Sequence, residues 1–277
     1  MFNGIHHVAV VVRSVPQALG FYRDILGLAV SREATVADQG VRAALLPVGT
    51  DEIELLEPTN STGGVARFLE KKGEGIHHLC VETSDVAAAL DRAKAAGLPM
   101  IDQTPRRGLA GTIGFLHPGA CHGILVELAQ PVESRHPHLP SSGGIHATAI
   151  DTFYLGTRDV GTAAAAFAKN FDATPQGTTT DSRLAASSVV VRIGTSRVTF
   201  LDSSDLAASP EVSHFLEGRT EGLLGFCLAV GDFAAAVRHL AEKGISVAVR
   251  RAAEGAPFAR IPSERTHGVG VFLAAER

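Results

Sequence analysis

The sequence predicts an α+β protein made of four β-α-β-β-β modules arranged as two tandem domains. Three observations predict it. Short apolar strands alternate with amphipathic helices. A strand opening on two adjacent histidines occurs twice, 71 residues apart. The second half of the chain repeats packing motifs of the first at an offset near 147. Self-similarity at a fixed offset marks a duplicated architecture.

In the first module, residues 5–12 form a strand that is apolar apart from His6 and His7. Ser14 can cap a helix over 16–26, with Pro16 in its first turn and Gly27 at its end. Residues 41–48 and 53–57 read as strands joined by a turn at Gly49-Thr-Asp51. A polar loop over 59–64 leads into a short helix at 65–72, which Gly73 ends. The second module follows the same order. Its strand runs from His78 through Glu82. Ser84 or Asp85 caps an alanine-rich helix over 86–96, closed by Gly97. Residues 105–111 read as a loop carrying Arg106 and Arg107, and 112–116 and 124–128 as strands.

Residues 131–144, rich in Pro, Ser, His and Gly, read as a linker between a first domain over 1–130 and a second over 145–277. His136 and His138 in it are expected to be ordinary exposed histidines. Beyond the linker, a strand at 150–156 and a helix at 162–170 parallel the first two elements. Phe68-Leu-Glu70 recurs as Phe215-Leu-Glu217, and Glu74-Gly75 as Glu221-Gly222. Asp85 recurs as Asp232, Gly97 as Gly244, and His122-Gly123 as His267-Gly268.

Composition bounds the function. The 277 residues are 45% hydrophobic and 19% charged, which fits a globular chain with a sizeable core. A net charge of −4, with no basic stripe, gives no reason to expect a nucleic-acid partner. Cys80, Cys121 and Cys227 have no framework spacing, and Cys80 and Cys227, inside apolar strands, read as small buried hydrophobes in a reducing compartment. His6 and His7 interrupt any signal-peptide core, and no apolar run approaches the ~18 residues of a membrane span. A soluble cytoplasmic protein with no membrane partner is expected.

The chemistry lies in the two His-His strands. Adjacent strand residues point to opposite faces, so one histidine of each pair belongs to a site. His7 is followed 47 residues later by Glu54, and His78 is followed 49 residues later by Glu127. Each acid sits between apolar residues, where a carboxylate is costly to bury unless it is paired or bound to a metal. His7, Glu54, His78 and Glu127 are therefore the candidate ligands of one divalent ion in a pseudo-twofold site. Two imidazoles and two carboxylates suit Co, Mn, Ni, Fe or Zn. In the second half these positions are Thr152, Thr199, Gly225 and Phe272, so all four ligands are lost together while the packing motifs persist. The second domain is expected to be a degenerate copy without metal.

Residues 4–130 resemble the vicinal oxygen chelate superfamily, which includes glyoxalase I, extradiol dioxygenases and methylmalonyl-CoA epimerases, and the epimerases most of all. The carriers are Ile5-His-His-Val8, Ile53-Glu-Leu-Leu-Glu-Pro58, Gly73-Glu-Gly-Ile-His-His78, Phe115-Leu-His-Pro118 and Gly123-Ile-Leu-Val-Glu-Leu128. Residues 145–277 resemble the same fold weakly. The resemblance implies modules that pair into cup-shaped mixed sheets with the metal on the floor of a cup, and the same four ligands. It also implies a metal-dependent epimerase that removes and returns a proton next to a carbonyl or thioester through a metal-stabilised enolate. A base role falls on Glu127, with Glu54 the alternative. The chain departs from the family at Arg42-Ala43-Ala44, where some epimerases carry a proposed catalytic acid. It departs again in having two domains, which suggests a monomeric pseudo-dimer, with a homodimer the alternative. The substrate is expected to be a small molecule such as an acyl-CoA, with Arg106 and Arg107 as candidate substrate-binding residues; solvated loop charges are the competing reading. Two other functions compete: a glyoxalase-type lyase or isomerase or a ring-cleaving dioxygenase, and a resistance protein that sequesters a ligand. Dioxygenases of this group use two His and one Glu on iron, so a fourth ligand at Glu54 argues against that branch. A full ligand set argues against mere sequestration.

Overall fold

The computed structural model describes residues 1–132, 138, 143–202, 209–217, 221–252 and 254–276. Most of the linker expected over 131–144 lies outside the described residues, His136 included. His138 is described, and its N–H donates to the Gly49 carbonyl at 2.8 Å.

The first half contains β1 (Phe2–Val11), α1 (Val15–Tyr22), β2 (Arg32–Val36), β3 (Val41–Val48), β4 (Asp51–Pro58), α2 (Gly64–Lys72), β5 (Gly75–Thr83), α3 (Val86–Ala95), β6 (Arg106–Gly108), β7 (Gly111–Leu116) and β8 (Val126–Gln130). The second half repeats the series as β9 (Ala147–Thr157), α4 (Val160–Asn170), β10 (Thr179–Asp181), β11 (Ala186–Ile193), β12 (Ser196–Asp202), α5 (Pro210–Leu216), β13 (Gly222–Val230), α6 (Phe233–Glu242), β14 (Ala248–Arg251), β15 (Pro257–Arg260) and β16 (Gly270–Ala275). Two mixed sheets of eight strands result, ordered β2-β3-β4-β1-β5-β8-β7-β6 and β10-β11-β12-β9-β13-β16-β15-β14. In every module the first strand lies parallel to the fourth, and the second to fourth form an antiparallel meander. The tandem duplication of β-α-β-β-β modules is thus the observed architecture.

The local signals act as the chemistry requires. The Ser14 hydroxyl accepts from the Gln17 N–H at 3.4 Å, and the Asp85 carboxylate accepts from the Ala88 N–H at 3.0 Å, so Asp85 rather than Ser84 is the cap. Helix α1 ends at Tyr22, a turn earlier than its pattern suggests; the next residues widen into a π-type turn, with the Leu26 N–H returning to the Phe21 carbonyl at 2.9 Å. Two strands differ from expectation. β2 replaces a stretch with no strand reading, and β6 replaces the expected loop at 105–111. Both are edge strands with mostly exposed, polar side chains, so they show no apolar alternation.

The chain divides into two compact units, and each takes one module from each half. The first unit comprises Met1–His6, His78–Ser134 and Thr152–Leu224, and the second comprises His7–His77, Arg135–Asp151 and Gly225–Arg277. In the first unit the Phe2 ring meets Phe171 edge-on at 5.3 Å, and Phe171 packs on Phe167 at 4.6 Å. Arg92 on α3 pairs with Asp172 and donates to the Lys169 carbonyl at 3.0 Å, beyond the middle of α4. That guanidinium holds the Asp172 carboxyl below the usual carboxylate range. Burial pushes the Cys121 thiol up to about 12, in keeping with an inert buried cysteine. In the second unit the Tyr22 hydroxyl donates to the Thr266 carbonyl at 3.2 Å, and the His239 Nε2 lies 2.8 Å from the Ile25 carbonyl. Burial pushes the Tyr22 hydroxyl far above its ordinary range, and the nearby Glu74 carboxylate adds to it.

The repeated His-Gly and Glu-Gly motifs meet across the halves. His122 Nδ1 lies 3.0 Å from Glu221 in the first unit, and His267 Nδ1 lies 3.0 Å from Glu74 in the second. Both histidines adopt the left-handed conformation, at φ 50° and 57°, ahead of Gly123 and Gly268 at 79° and 74°. A Cβ at Gly123 would come within 2.8 Å of the Glu221 carbonyl oxygen, and one at Gly268 within 2.5 Å of the Glu74 carbonyl oxygen. Each half therefore supplies partners that the other half needs. Residues 1–140 produced alone are expected to dimerise or aggregate through the apolar surface this exposes, around Tyr22 and Phe2. Size-exclusion chromatography showing a stable monomer with full activity would sink that expectation.

Among the described residues, no helix is long and apolar enough to cross a membrane.

Candidate metal centre

The strand registers place the predicted ligands two by two. On β1 and β4, Ala9 faces Glu54 across the parallel pairing, and His7 stands two residues before Ala9 on the same face. His7 Nε2 lies 3.4 Å from Glu54 Oε2, with the two side chains 2% and 8% exposed. On β5 and β8, Cys80 faces Glu127 and His78 stands two residues before Cys80. His78 Nε2 lies 3.3 Å from Glu127 Oε2, with exposures of 5% and 7%. The two pairs have the same register, the same diagonal and nearly the same separation. Four polar side chains at this burial need partners of opposite or complementary character. The described residues thus contain buried His/Glu groups of a kind that could bind a metal.

The other histidine of each strand has different neighbours. His77 packs edge-on against Phe68 of α2 at 5.0 Å. His6 is 7% exposed and brings a ring nitrogen within 4.8 Å of the Cys80 sulfur, a donor pair that alternation along single strands did not reveal. The His78 ring is fixed by Phe115 of β7, which meets it edge-on at 5.3 Å between ring centres. Cys80 belongs to a buried cluster with Ile113 and Ala129.

The second half keeps the register and replaces the chemistry. Thr152 stands two residues before Tyr154, which faces Thr199, and the two hydroxyls bond to each other at 2.7 Å. Gly225 stands two residues before Cys227, which faces Phe272. Phe272 stacks on Phe258 at 5.5 Å with the planes 16° apart. A Cβ at Gly225 would lie 1.9 Å from the Gly270 carbonyl oxygen, so no side chain fits there without moving backbone. Gly225→His is therefore expected to cost stability, by roughly 1–3 kcal/mol or more as for other overpacked positions, and to gain no metal. Denaturant unfolding and elemental analysis of that variant check both parts.

Arg106 and Arg107 are strand residues and point to opposite faces. Arg106 is the register partner of Ile113 and Arg107 of Thr112. Both are exposed, and Arg106 pairs with Asp102 at 3.0 Å.

Comparison with known proteins agrees with these elements. Residues 6–117 match the model of the Glyoxalase/Bleomycin resistance protein/Dioxygenase superfamily. The chain is 38% identical over 133 residues to the ethylmalonyl-CoA/methylmalonyl-CoA epimerase of Cereibacter sphaeroides, covering 99% of that protein and 47% of this chain. It is 37% identical over 128 residues to the mitochondrial methylmalonyl-CoA epimerase of Mus musculus, covering 72% of that protein and 46% of this chain. A solved structure of a mutant 4-hydroxymandelate synthase from Streptomyces coelicolor superposes with a TM-score of 0.74 at 18% identity, over 99% of this chain and 92% of that one; that likeness is one of fold. With one epimerase relative at 38% identity covered almost end to end, the chain belongs to the Glyoxalase/Bleomycin resistance protein/Dioxygenase superfamily.

Proposed function

We propose that this protein is a metal-dependent epimerase that removes and returns a proton next to a carbonyl, acting on a 2-substituted acyl-CoA of the methylmalonyl-CoA class. The observation that carries the reading is the repeated His–Glu pair, buried and in identical register, within the half of the chain that is similar to epimerases. On this reading His7, Glu54, His78 and Glu127 would together hold one divalent ion. The donor set fits: two imidazole nitrogens and two carboxylate oxygens, each carboxylate among apolar strand neighbours such as Leu55 and Val126, suit Co, Mn, Ni, Fe or Zn. A bound ion supplies the charge stabilisation that lets a proton leave the carbon beside a thioester carbonyl.

The chain's own residues do the rest. Glu127 takes that proton and exchanges it with solvent; return from Glu127 to the same face regenerates substrate carrying solvent hydrogen, and a solvent-derived proton added to the opposite face yields the epimer. Glu54, of the other pair, is the alternative base. The edge-on Phe115 ring holds the His78 imidazole in one orientation. The second half, with its ligand positions filled by a hydroxyl pair and stacked rings, contributes structure rather than a second centre. On this reading the protein works in the cytoplasm as a pseudo-dimer within one chain.

The test is isotope exchange. Methylmalonyl-CoA incubated with the metal-loaded protein in deuterated water is expected to gain deuterium next to the carbonyl, and to gain none when the metal is chelated. Oxygen uptake without exchange on any acyl-CoA would point to the dioxygenase branch. Turnover of a hemithioacetal alone would point to the glyoxalase branch.

A further inference from the structure

One charged side chain on the ligand-bearing face of the first unit has no part in the proton transfer. Arg106 on β6 faces Ile113 on β7, and Ile113 shares its side of the strand with Phe115, which faces Glu127. Strand alternation then puts Arg106 on the face of Glu127 and His78, and Arg107 on the opposite one. The Arg106 guanidinium lies over the Phe115 ring, 5.3 Å from its centre, and the same ring meets His78 edge-on at 5.3 Å. Arg106 Nε donates to Asp102 Oδ2 at 3.0 Å. That oxygen also accepts from the Phe115 N–H at 3.0 Å, and the Asp102 N–H donates to the Phe115 carbonyl at 3.1 Å. Asp102 is thus a strut fastened to β7 that fixes the plane of the guanidinium. The Nη hydrogens of Arg106 have no protein acceptor among the described residues, and 39% of the side chain is exposed.

A guanidinium held at Nε and on one face, with its Nη edge open, is a preformed fork for a carboxylate. We propose that Arg106 binds a carboxylate on the acyl part of the substrate, and that Asp102 and Phe115 are the residues that position it. The inference rests on the epimerase reading and narrows it to acyl-CoAs that carry a second anionic group near the exchanging carbon. Coenzyme A phosphates offer similar chemistry, but they sit at the far end of a long arm, whereas one aromatic ring separates Arg106 from His78. The second half supplies an internal control. Arg250 on β14 faces Phe258 on β15, the register place of Arg106, in a module whose ligand positions are glycine and phenylalanine.

Calorimetric titration of the full-length, metal-restored protein with methylmalonyl-CoA and propionyl-CoA tests the assignment, because the two differ only in the carboxylate. The unaltered protein is expected to bind methylmalonyl-CoA about tenfold more tightly or better. Arg106→Gln should remove that preference and leave propionyl-CoA binding and metal content unchanged. Arg106→Lys should restore part of it, since charge survives and the fork does not. Asp102→Asn should lower the preference by a smaller factor, and Arg250→Gln should leave it intact. Equal weakening toward both esters in Arg106→Gln would assign the arginine to the coenzyme phosphates and overturn the proposal, as would no change toward either. Failure of the unaltered protein to bind either ester would overturn the epimerase reading itself, before any variant is compared.

Discussion

Glu127→Gln is expected to lower metal-dependent deuterium exchange by about 10²–10⁴-fold, the range that a positioned general base contributes. Glutamine keeps the shape of the side chain and an oxygen donor, and it cannot accept the proton. The neighbours of Glu127 are buried, with Val126 and Leu128 at 0% and 1% exposure, so the substitution introduces no new contact with solvent. Exchange and metal content should be read on the same sample. Loss of exchange with the metal retained assigns Glu127 as the base. Exchange at the unaltered rate would remove Glu127 from the chemistry, and Glu54→Gln is then the variant to compare.

His78→Ala is expected to weaken metal binding by at least about 100-fold, beyond the 10–100-fold loss typical of residues that only support a ligand, and to abolish exchange. The protein with intact His78 should carry one divalent ion per chain, because among the described residues the shared register holds His–Glu pairs in the first half and Thr152, Thr199, Gly225 and Phe272 in the second. An ion bound to the folded state alone adds stability by mass action, so chelation should lower the melting temperature of the unaltered protein and leave that of His78→Ala almost unmoved. Two tightly bound ions per chain, none after reconstitution, or full metal content in His78→Ala would each count against the four-residue set.

Much of this arrangement could be read from residue order, for a physical reason. Central strands β1 and β5 are buried on both faces, so they must be apolar runs, and two histidines in such a run stand out. The matching positions of Glu54 and Glu127 follow from module repetition, and the identical registers in the structure are that repetition in three dimensions. Edge strands β2 and β6 did not stand out, because their side chains are mostly exposed on both faces, which removes the need for alternation. For the same reason Arg106 and Arg107 looked equivalent until β6 paired with β7 and sent them to opposite faces. The partners of Glu74 and Glu221 were also hidden. Both motifs were visible as repeats, but Glu74 meets a histidine 193 positions away and Glu221 one 99 positions away, and no local pattern encodes such a pairing.

Those two crossed His–Glu contacts have a consequence for behaviour on dilution. Each half carries a His-Gly turn and a Glu-Gly strand start, and it uses each against the other half, which is how two identical chains would meet about a twofold axis. A dimer held this way falls apart as its concentration drops. In one covalent chain the partner is always present at a high effective concentration. Association of the halves is then unimolecular, and the transition temperature should be the same at nanomolar and at micromolar protein.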